Sequence, residues 1–276
     1  MRPRFIDSFL WTPVAANTIV AEMDQIAKVH SEFEKQANSF NDSSHTIGSH
    51  EIMEWIIGVI QPSHTQCALD VAAGTALLGR ALAKIAKAVV AVDATNAMLE
   101  VGRRAAAEDG LHRIEFLNAE VENLPFPDEK FDLVVSRLAV HHFLKPELAA
   151  SEMCRVCKVT GKVFVIDLLS PDEPAFQKIY NDLERMRDPS HALALTREQF
   201  FQIFGRIGQT PTLRDIKAVE VDFEKWVQLT KTPDDVVRSI QKTLLTEISG
   251  GEKTGFQPKL IGSKLKFYQR WAIFEA

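Results

Sequence analysis

The sequence predicts a doubly wound α/β fold, and three observations carry that expectation. Short apolar runs alternate with amphipathic segments between residues 66 and 168, the pattern of a mostly parallel sheet joined by right-handed crossovers. The first run ends in Asp70 and opens onto Val71-Ala72-Ala73-Gly74-Thr75-Ala76, a turn of small residues followed by the amphipathic segment Leu77 to Ala86. About 20 residues further on, a second run, Ala88 to Val92, ends in Asp93.

Taken in order, Thr18 to Ala37 reads as a helix, and Asn38 to His50 is polar and turn-rich. Glu51 to Ile60 is an amphipathic helix stopped before Pro62. Strands are expected at Gln66–Val71, Ala88–Asp93, Arg113–Asn118, Phe131–Ser136 and Lys162–Leu168, with helices at Leu77–Ala86, Ala94–Ala107 and Pro146–Cys157 between them. Beyond Leu168 the alternation stops. Pro174 to Arg187 is a helix, and Thr196 starts another, with Gln199 placed to complete a capping box. Thr212–Phe223 and the alternating run Leu265–Phe274 read as two last strands. They need no crossover helix if they pair antiparallel, which makes a seven-stranded mixed sheet. Glu224 to Lys264 is an insertion of helix and loop, of the length that lids and oligomer contacts use.

The turn carries the chemistry. Gly74 lets the backbone approach a ligand closely, and a carboxylate at Asp93 can accept hydrogen bonds from both hydroxyls of a ribose. Together they describe a Rossmann-like nucleoside site. A dinucleotide enzyme is the rival reading, but its fingerprint needs three glycines, and here only Gly74 and Gly79 stand in the region.

Composition narrows the class. A chain of 276 residues, 46% hydrophobic and 25% charged, can bury one large α/β core with room for a lid. Its net charge of −5, with no basic run, argues against a nucleic-acid partner. No apolar stretch approaches the ~20 residues that span a bilayer, so no membrane partner is expected. Asp7 interrupts the apolar start and argues against a signal peptide. The three cysteines fit a reduced interior, and Cys154 and Cys157 lack a second pair to complete a zinc site. The cytoplasm is the expected location, and no metal is expected.

Several blocks resemble the class I S-adenosylmethionine-dependent methyltransferases, above all the ubiquinone/menaquinone C-methyltransferase-like group of small-molecule enzymes. They are Leu69-Asp70-Val71-Ala72-Ala73-Gly74-Thr75, Val92-Asp93-Ala94, Glu120-Val121-Glu122-Asn123-Leu124-Pro125-Phe126, Phe131-Asp132-Leu133-Val134-Val135-Ser136, and His141-His142-Phe143 with Pro146. Arg187-Asp188-Pro189-Ser190-His191 resembles the signature of a smaller subgroup. The resemblance implies S-adenosyl-L-methionine as cofactor and a small organic molecule as acceptor. It implies that Asp70 orients the methionyl amino end, that Ala72 and Gly74 form the floor, and that Asp93 and Ala94 hold the ribose. Glu120 and the Val121 N–H would read the adenine, Ser136 and Arg137 would follow the fourth strand into the cleft, and Phe40 would lie against the methionyl end. One departure is plain. Where the family has three glycines, this chain has Ala72, Gly74 and Ala76, which is tolerable if both alanines keep a negative φ.

The histidines are the candidates for proton transfer, because an imidazole titrates near neutrality. His141 and His191 are the expected catalytic pair, and His142 is expected to sit beneath the cofactor. Trp226, Phe256, Phe267, Tyr268 and Trp271 make the C-terminal part rich in aromatic side chains, which suits an apolar pocket under a lid. The expected organisation is one methyltransferase domain over 1–276, with a helical lid at 1–50, a cofactor core at 51–169 and a substrate and lid part at 170–276. A homodimer is left open. Because of the altered turn, a protein that binds the cofactor without transferring methyl, such as a cyclisation or rearrangement enzyme or a binding subunit, stays as the alternative.

Overall fold

The structure, a computed structural model, describes residues 13–37 and 48–276, with side chains described from residue 24. Phe40 therefore lies outside the described residues. In chain order the elements are α1 (Pro13–Gln36), α2 (His50–Ile60), β1 (Cys67–Val71), α3 (Leu77–Ala83), β2 (Ala88–Asp93), α4 (Asn96–Glu108), β3 (Ile114–Asn118), β4 (Phe131–Arg137), α5 (Pro146–Val156), β5 (Cys157–Leu169), α6 (Pro174–Arg187), α7 (Arg197–Arg206), β6 (Thr212–Asp222), α8 (Phe223–Leu229), α9 (Asp234–Ile248), β7 (Lys259–Ile261) and β8 (Lys264–Glu275).

The strands form one sheet in the order β3-β2-β1-β4-β5-β8-β6, with the short β7 pairing with β8. β1 to β5 run parallel, and β8 lies antiparallel between β5 and β6. All seven expected strands are present. β7 is an unexpected eighth, lying in the stretch read as helix and loop, where three residues close a tight hairpin on β8. The rest of that insertion is α8 and α9. The N-terminal end of β5 also differs: it begins at Cys157, so this cysteine opens a strand and does not end a helix.

Burial explains the layering. Within β1, Ala68, Leu69, Asp70 and Val71 are all buried, as a central parallel strand covered on both faces requires. Ile52, Ile56 and Ile60 repeat along one face of α2 and pack with Leu78 and Leu82 of α3 on one side of the sheet. Each fully buried side chain of this size contributes about 1.5–3 kcal/mol. α5 and α7 cover the other side through Ala149, Met153, Phe200 and Phe204. The predicted capping box closes the start of α7, with Thr196 Oγ1 accepting from Gln199 N–H and Gln199 Oε1 from Thr196 N–H. Strand order reverses between β1 and β4, and open α/β sheets bind ligands at such a switch point.

Candidate active site

A cavity of about 490 Å³ opens outside the carboxyl ends of β1 to β4. Its floor is Ala72 to Thr75, its far end is Ala119 to Glu122, and α1 roofs it with Ile26, Val29, His30, Phe33 and Gln36. The opposite end is lined by Leu168, Val221, Trp226, Leu229 and Trp271. One continuous space therefore joins a polar turn to an aromatic and aliphatic chamber.

Asp93 ends β2 half-buried, and its two oxygens accept from Gly74 N–H at 2.7 Å and Thr95 N–H at 2.8 Å. Burial pushes its pKa up, while these amide bonds oppose the rise. Asp70 lies beneath the floor and does not line the cavity. Its Oδ2 accepts from Gly79 N–H at 2.7 Å, and burial raises its pKa to about 7. A Cβ on Gly79 would come within 2.9 Å of that oxygen, so glycine is what lets α3 rest on the carboxylate. Ser136, paired in register with Val71, is buried and also fails to line the cavity, whereas Arg137 lines it. Asp70 and Ser136 thus lie behind the wall.

The φ angles correct an expectation. Ala72 and Ala76 take φ of 50° and 54°, and Gly74 takes 56°. Both alanines occupy the left-handed region, where a Cβ is strained by roughly 1–2 kcal/mol per residue, and not the negative φ on which their tolerance was to rest.

Two observations test whether these residues suit an adenosine-type cofactor. A Cβ built on Gly74 meets no protein atom within 4 Å, so the turn faces open space. Asp70 Oδ1, Thr75 Oγ1 and Ser136 Oγ are buried around the same turn without a hydrogen-bond partner among the described residues. The fit is good. At the far end Glu120 is exposed, with His30 Nε2 of α1 at 3.6 Å, and Val121 is buried beside it.

His141 and His142 sit on a short 3₁₀ turn after β4, and both line the cavity. His141 Nδ1 lies 2.5 Å from Asp167 Oδ1, and its own N–H reaches Asp167 Oδ2 at 3.2 Å. A carboxylate only accepts, so Nδ1 donates and Nε2 is the nitrogen available to a ligand. Burial lowers the His141 pKa, but the Asp167 carboxylate more than offsets this and the net shift is upward. His142 differs. Ser190 Oγ donates to Asp188 Oδ1 at 2.5 Å, so His142 Nδ1 must donate to the Ser190 oxygens at 3.1 Å. Burial, and then the neighbouring His141, lower its pKa to about 4.

His191, expected to be catalytic, does not line the cavity. It is buried, with Nε2 2.7 Å from Asn181 Oδ1, and burial pulls its pKa far down. It fixes the end of the Arg187–His191 segment, whose next amides, Ala192 and Leu193 N–H, donate to the His141 carbonyl.

Asp167 and Gln269 are residues around the site that sequence reasoning missed, and Asp188 stood there only as a member of the Arg187–His191 block. Asp167 carried a signal, since it stands near the carboxyl end of an apolar strand just as Asp70 and Asp93 do.

A mostly parallel sheet with a small-residue turn after β1, a carboxylate ending β2 and an apolar chamber beside a histidine–aspartate pair suits an enzyme of the Rossmann-like class. Residues 69–165 match the family model described as a methyltransferase domain. The chain is 31% identical over 174 residues to the uncharacterised methyltransferase YcgJ of Bacillus subtilis, covering 62% of this chain and 68% of that one. It is also 31% identical over 160 residues to the ubiquinone/menaquinone biosynthesis C-methyltransferase UbiE of Ectopseudomonas mendocina, covering 56% of this chain and 62% of that one. The crystal structure of YcgJ superposes with a TM-score of 0.74 at 25% identity, covering 82% of this chain and 97% of that one. The chain belongs to the S-adenosylmethionine-dependent methyltransferases, and S-adenosyl-L-methionine is its cofactor. No helix among the described residues is long and apolar enough to cross a membrane.

Proposed function

We propose that the enzyme methylates a small, largely apolar acceptor carrying a protic nucleophile, and that His141 takes the proton. The observation that carries this is His141, which lines the same cavity as the Gly74 turn and is paired from behind with the buried Asp167. When bound, the sulfonium cofactor supplies an activated methyl group.

The chain's own residues then have distinct tasks. Asp93 accepts from the ribose hydroxyls while staying fixed by the Gly74 and Thr95 amides, and Ala94 continues that wall. Glu120 and the Val121 N–H, at the far end of the cavity, would hold the adenine. Arg137 balances the charge of Asp70 and Asp167 behind the floor. The Phe33 and His142 rings meet at a steep angle with centroids 4.9 Å apart, so α1 covers the cavity from above. Leu168, Trp226 and Trp271 hold the acceptor's apolar body, and the quinone-biosynthesis relatives support an acceptor of that kind. Orientation supplies most of the rate, ~7–11 kcal/mol, and a positioned base adds ~10²–10⁴-fold.

Two measurements test this. S-adenosylhomocysteine at a hundredfold excess over Kd raises the unfolding free energy by ~2.7 kcal/mol, while NAD leaves it unchanged. Incubation with S-adenosylmethionine and a metabolite extract then yields S-adenosylhomocysteine. If the cofactor binds and no product forms from any extract, the protein binds without transferring.

A further inference from the structure

Among the described residues, one buried charge in the cavity is only half satisfied. Asp188 is 3% exposed and lines the cavity. Its Oδ1 accepts from Ser190 N–H at 2.9 Å and from Ser190 Oγ at 2.5 Å. Among the described residues its Oδ2 meets only Gln36 Nε2, at 3.5 Å, the outer limit for a hydrogen bond. An ionised carboxylate has about four lone-pair sites, and leaving them unfilled away from water is costly. The adjacent guanidinium does not fill them. Arg187 Nε donates to the Trp226 carbonyl, its Nη1 lies 3.5 Å from Glu184 Oε2, and its plane lies over the Trp226 ring at 5.0 Å.

The lid helix addresses the same segment. Gln25 Nε2 of α1 donates to the Ser190 carbonyl at 2.7 Å, and Gln36 reaches Asp188 from the last turn of the same helix. A ligand donor entering between Gln36 and Asp188 therefore completes the carboxylate and meets the lid together. Around this polar point the chamber is apolar, with Leu168, Trp226 and Trp271.

We propose that Asp188, with Gln36, is an acceptor-recognition subsite that takes a hydrogen-bond donor, a hydroxyl or an ammonium, carried by the acceptor at a pole separate from its methylated atom. The proposal rests on the acceptor reading above. The ligand class it defines is a small apolar molecule with two polar poles. One is protic and meets His141, and the other donates to Asp188. A purely apolar molecule with a single protic group leaves the carboxylate unfilled and binds poorly.

Three probes of one skeleton test it: para-ethylphenol without a second donor, tyrosol with a neutral hydroxyl, and tyramine with an ammonium. Binding to the full chain saturated with S-adenosylhomocysteine is measured by calorimetry, with cofactor affinity recorded first. Tyrosol or tyramine is expected to bind ~10–100-fold more tightly than para-ethylphenol. Whichever gains more identifies a neutral or a cationic donor. Asp188→Asn is expected to erase the tyramine advantage, and Gln36→Leu, which leaves the carboxylate intact, to reduce either advantage several-fold. Equal binding of the three probes, no binding of any, or a preference untouched by both substitutions overturns the proposal. So does a loss of cofactor affinity in Asp188→Asn with probe binding unchanged, which would assign the carboxylate to the cofactor's ammonium. A wild-type chain that fails to bind S-adenosylhomocysteine overturns the cofactor reading instead.

Discussion

Replacing Asp167 by asparagine separates a working His141 base from a merely buried ring. Asp167 is fully buried and accepts three hydrogen bonds: from His141 Nδ1 and Leu168 N–H on Oδ1, at 2.5 and 2.6 Å, and from His141 N–H on Oδ2, at 3.2 Å. Asparagine keeps one acceptor oxygen and turns an NH₂ towards the third donor. Orphaning that amide costs about 1–3 kcal/mol, and losing the charge opposite the imidazolium removes about 1.5–3 kcal/mol more. The second part depends on pH. Because the folded pKa of His141 lies above its ordinary 6.5, the pair's stabilisation is fully present below 6.5 and is lost as pH rises through the folded value. Asp167→Asn removes the strongest influence that raises this pKa, leaving burial opposed by the Glu184 and Asp188 carboxylates, so the His141 pKa falls and the variant loses the stabilisation that wild type has in acid. The gap between wild type and variant therefore widens to roughly 3–5 kcal/mol in acid and narrows in base. Urea unfolding across pH, with NMR titration of the His141 ring, reads this directly. Turnover on the acceptor should fall ~10²–10⁴-fold with cofactor affinity near wild type. Parallel stability curves and an unmoved His141 titration would refute the pairing, and wild-type turnover would refute the base.

The remaining predictions concern the cofactor floor. Ala72→Gly relieves a left-handed alanine whose methyl is only half-buried and should stabilise by about 1 kcal/mol in denaturant unfolding. Ala76→Gly relieves similar strain but deletes a fully buried methyl, worth about 0.8 kcal/mol, and should be near neutral. Asp93→Ala should weaken S-adenosylhomocysteine binding in calorimetry at least tenfold, at about 1.5–3 kcal/mol per charged hydrogen bond. It should also destabilise the apo protein, since the Gly74 and Thr95 amides lose their acceptor. Asp70 has its pKa raised from 3.8 to about 7, so the folded state binds the extra proton and stability declines between those values as pH rises. Asp70→Asn should flatten that decline, worth up to about 4 kcal/mol at roughly 1.4 per unit, while weakening cofactor affinity.

The sheet was legible because its signal is local: an apolar run, a small-residue turn and an amphipathic segment each lie within a few residues. Asp93 and the Gly74 turn were legible for the same reason, as neighbouring parallel strands bring 74 and 93 into contact by construction. His141 was found by type, but its partner was not, because the bond to Asp167 spans 26 positions. His191 was singled out by residue type, and its burial could not be read from type alone, because its contacts to Asn181 and Ala194 depend on how the loop packs. The sign of φ at Ala72 and Ala76 was beyond reach, since it depends on what clamps the turn and not on the residues within it.

That clamp explains how alanine persists at the two outer glycine places. Strained backbone survives only where its surroundings over-determine it, and here two helices do so. Gly79 brings α3 onto Asp70, and a Cβ there would strike Oδ2 at 2.9 Å. Gly102 brings α4 against the turn itself, and a Cβ there would meet the Thr75 carbonyl oxygen at 2.9 Å. Ala76 N–H donates to the Ala73 carbonyl, and Ala73 N–H donates to the Val92 carbonyl across to β2. The turn is therefore held from below, from the side and from the neighbouring strand before any ligand arrives. Glycine is indispensable where helices close on the floor, at 79 and 102, whereas at 72 and 76 the chain bears a methyl's strain because the floor cannot move away. A floor fixed in this way suits a reaction run mainly by positioning, because the geometry that aligns donor and acceptor does not have to be assembled when they bind.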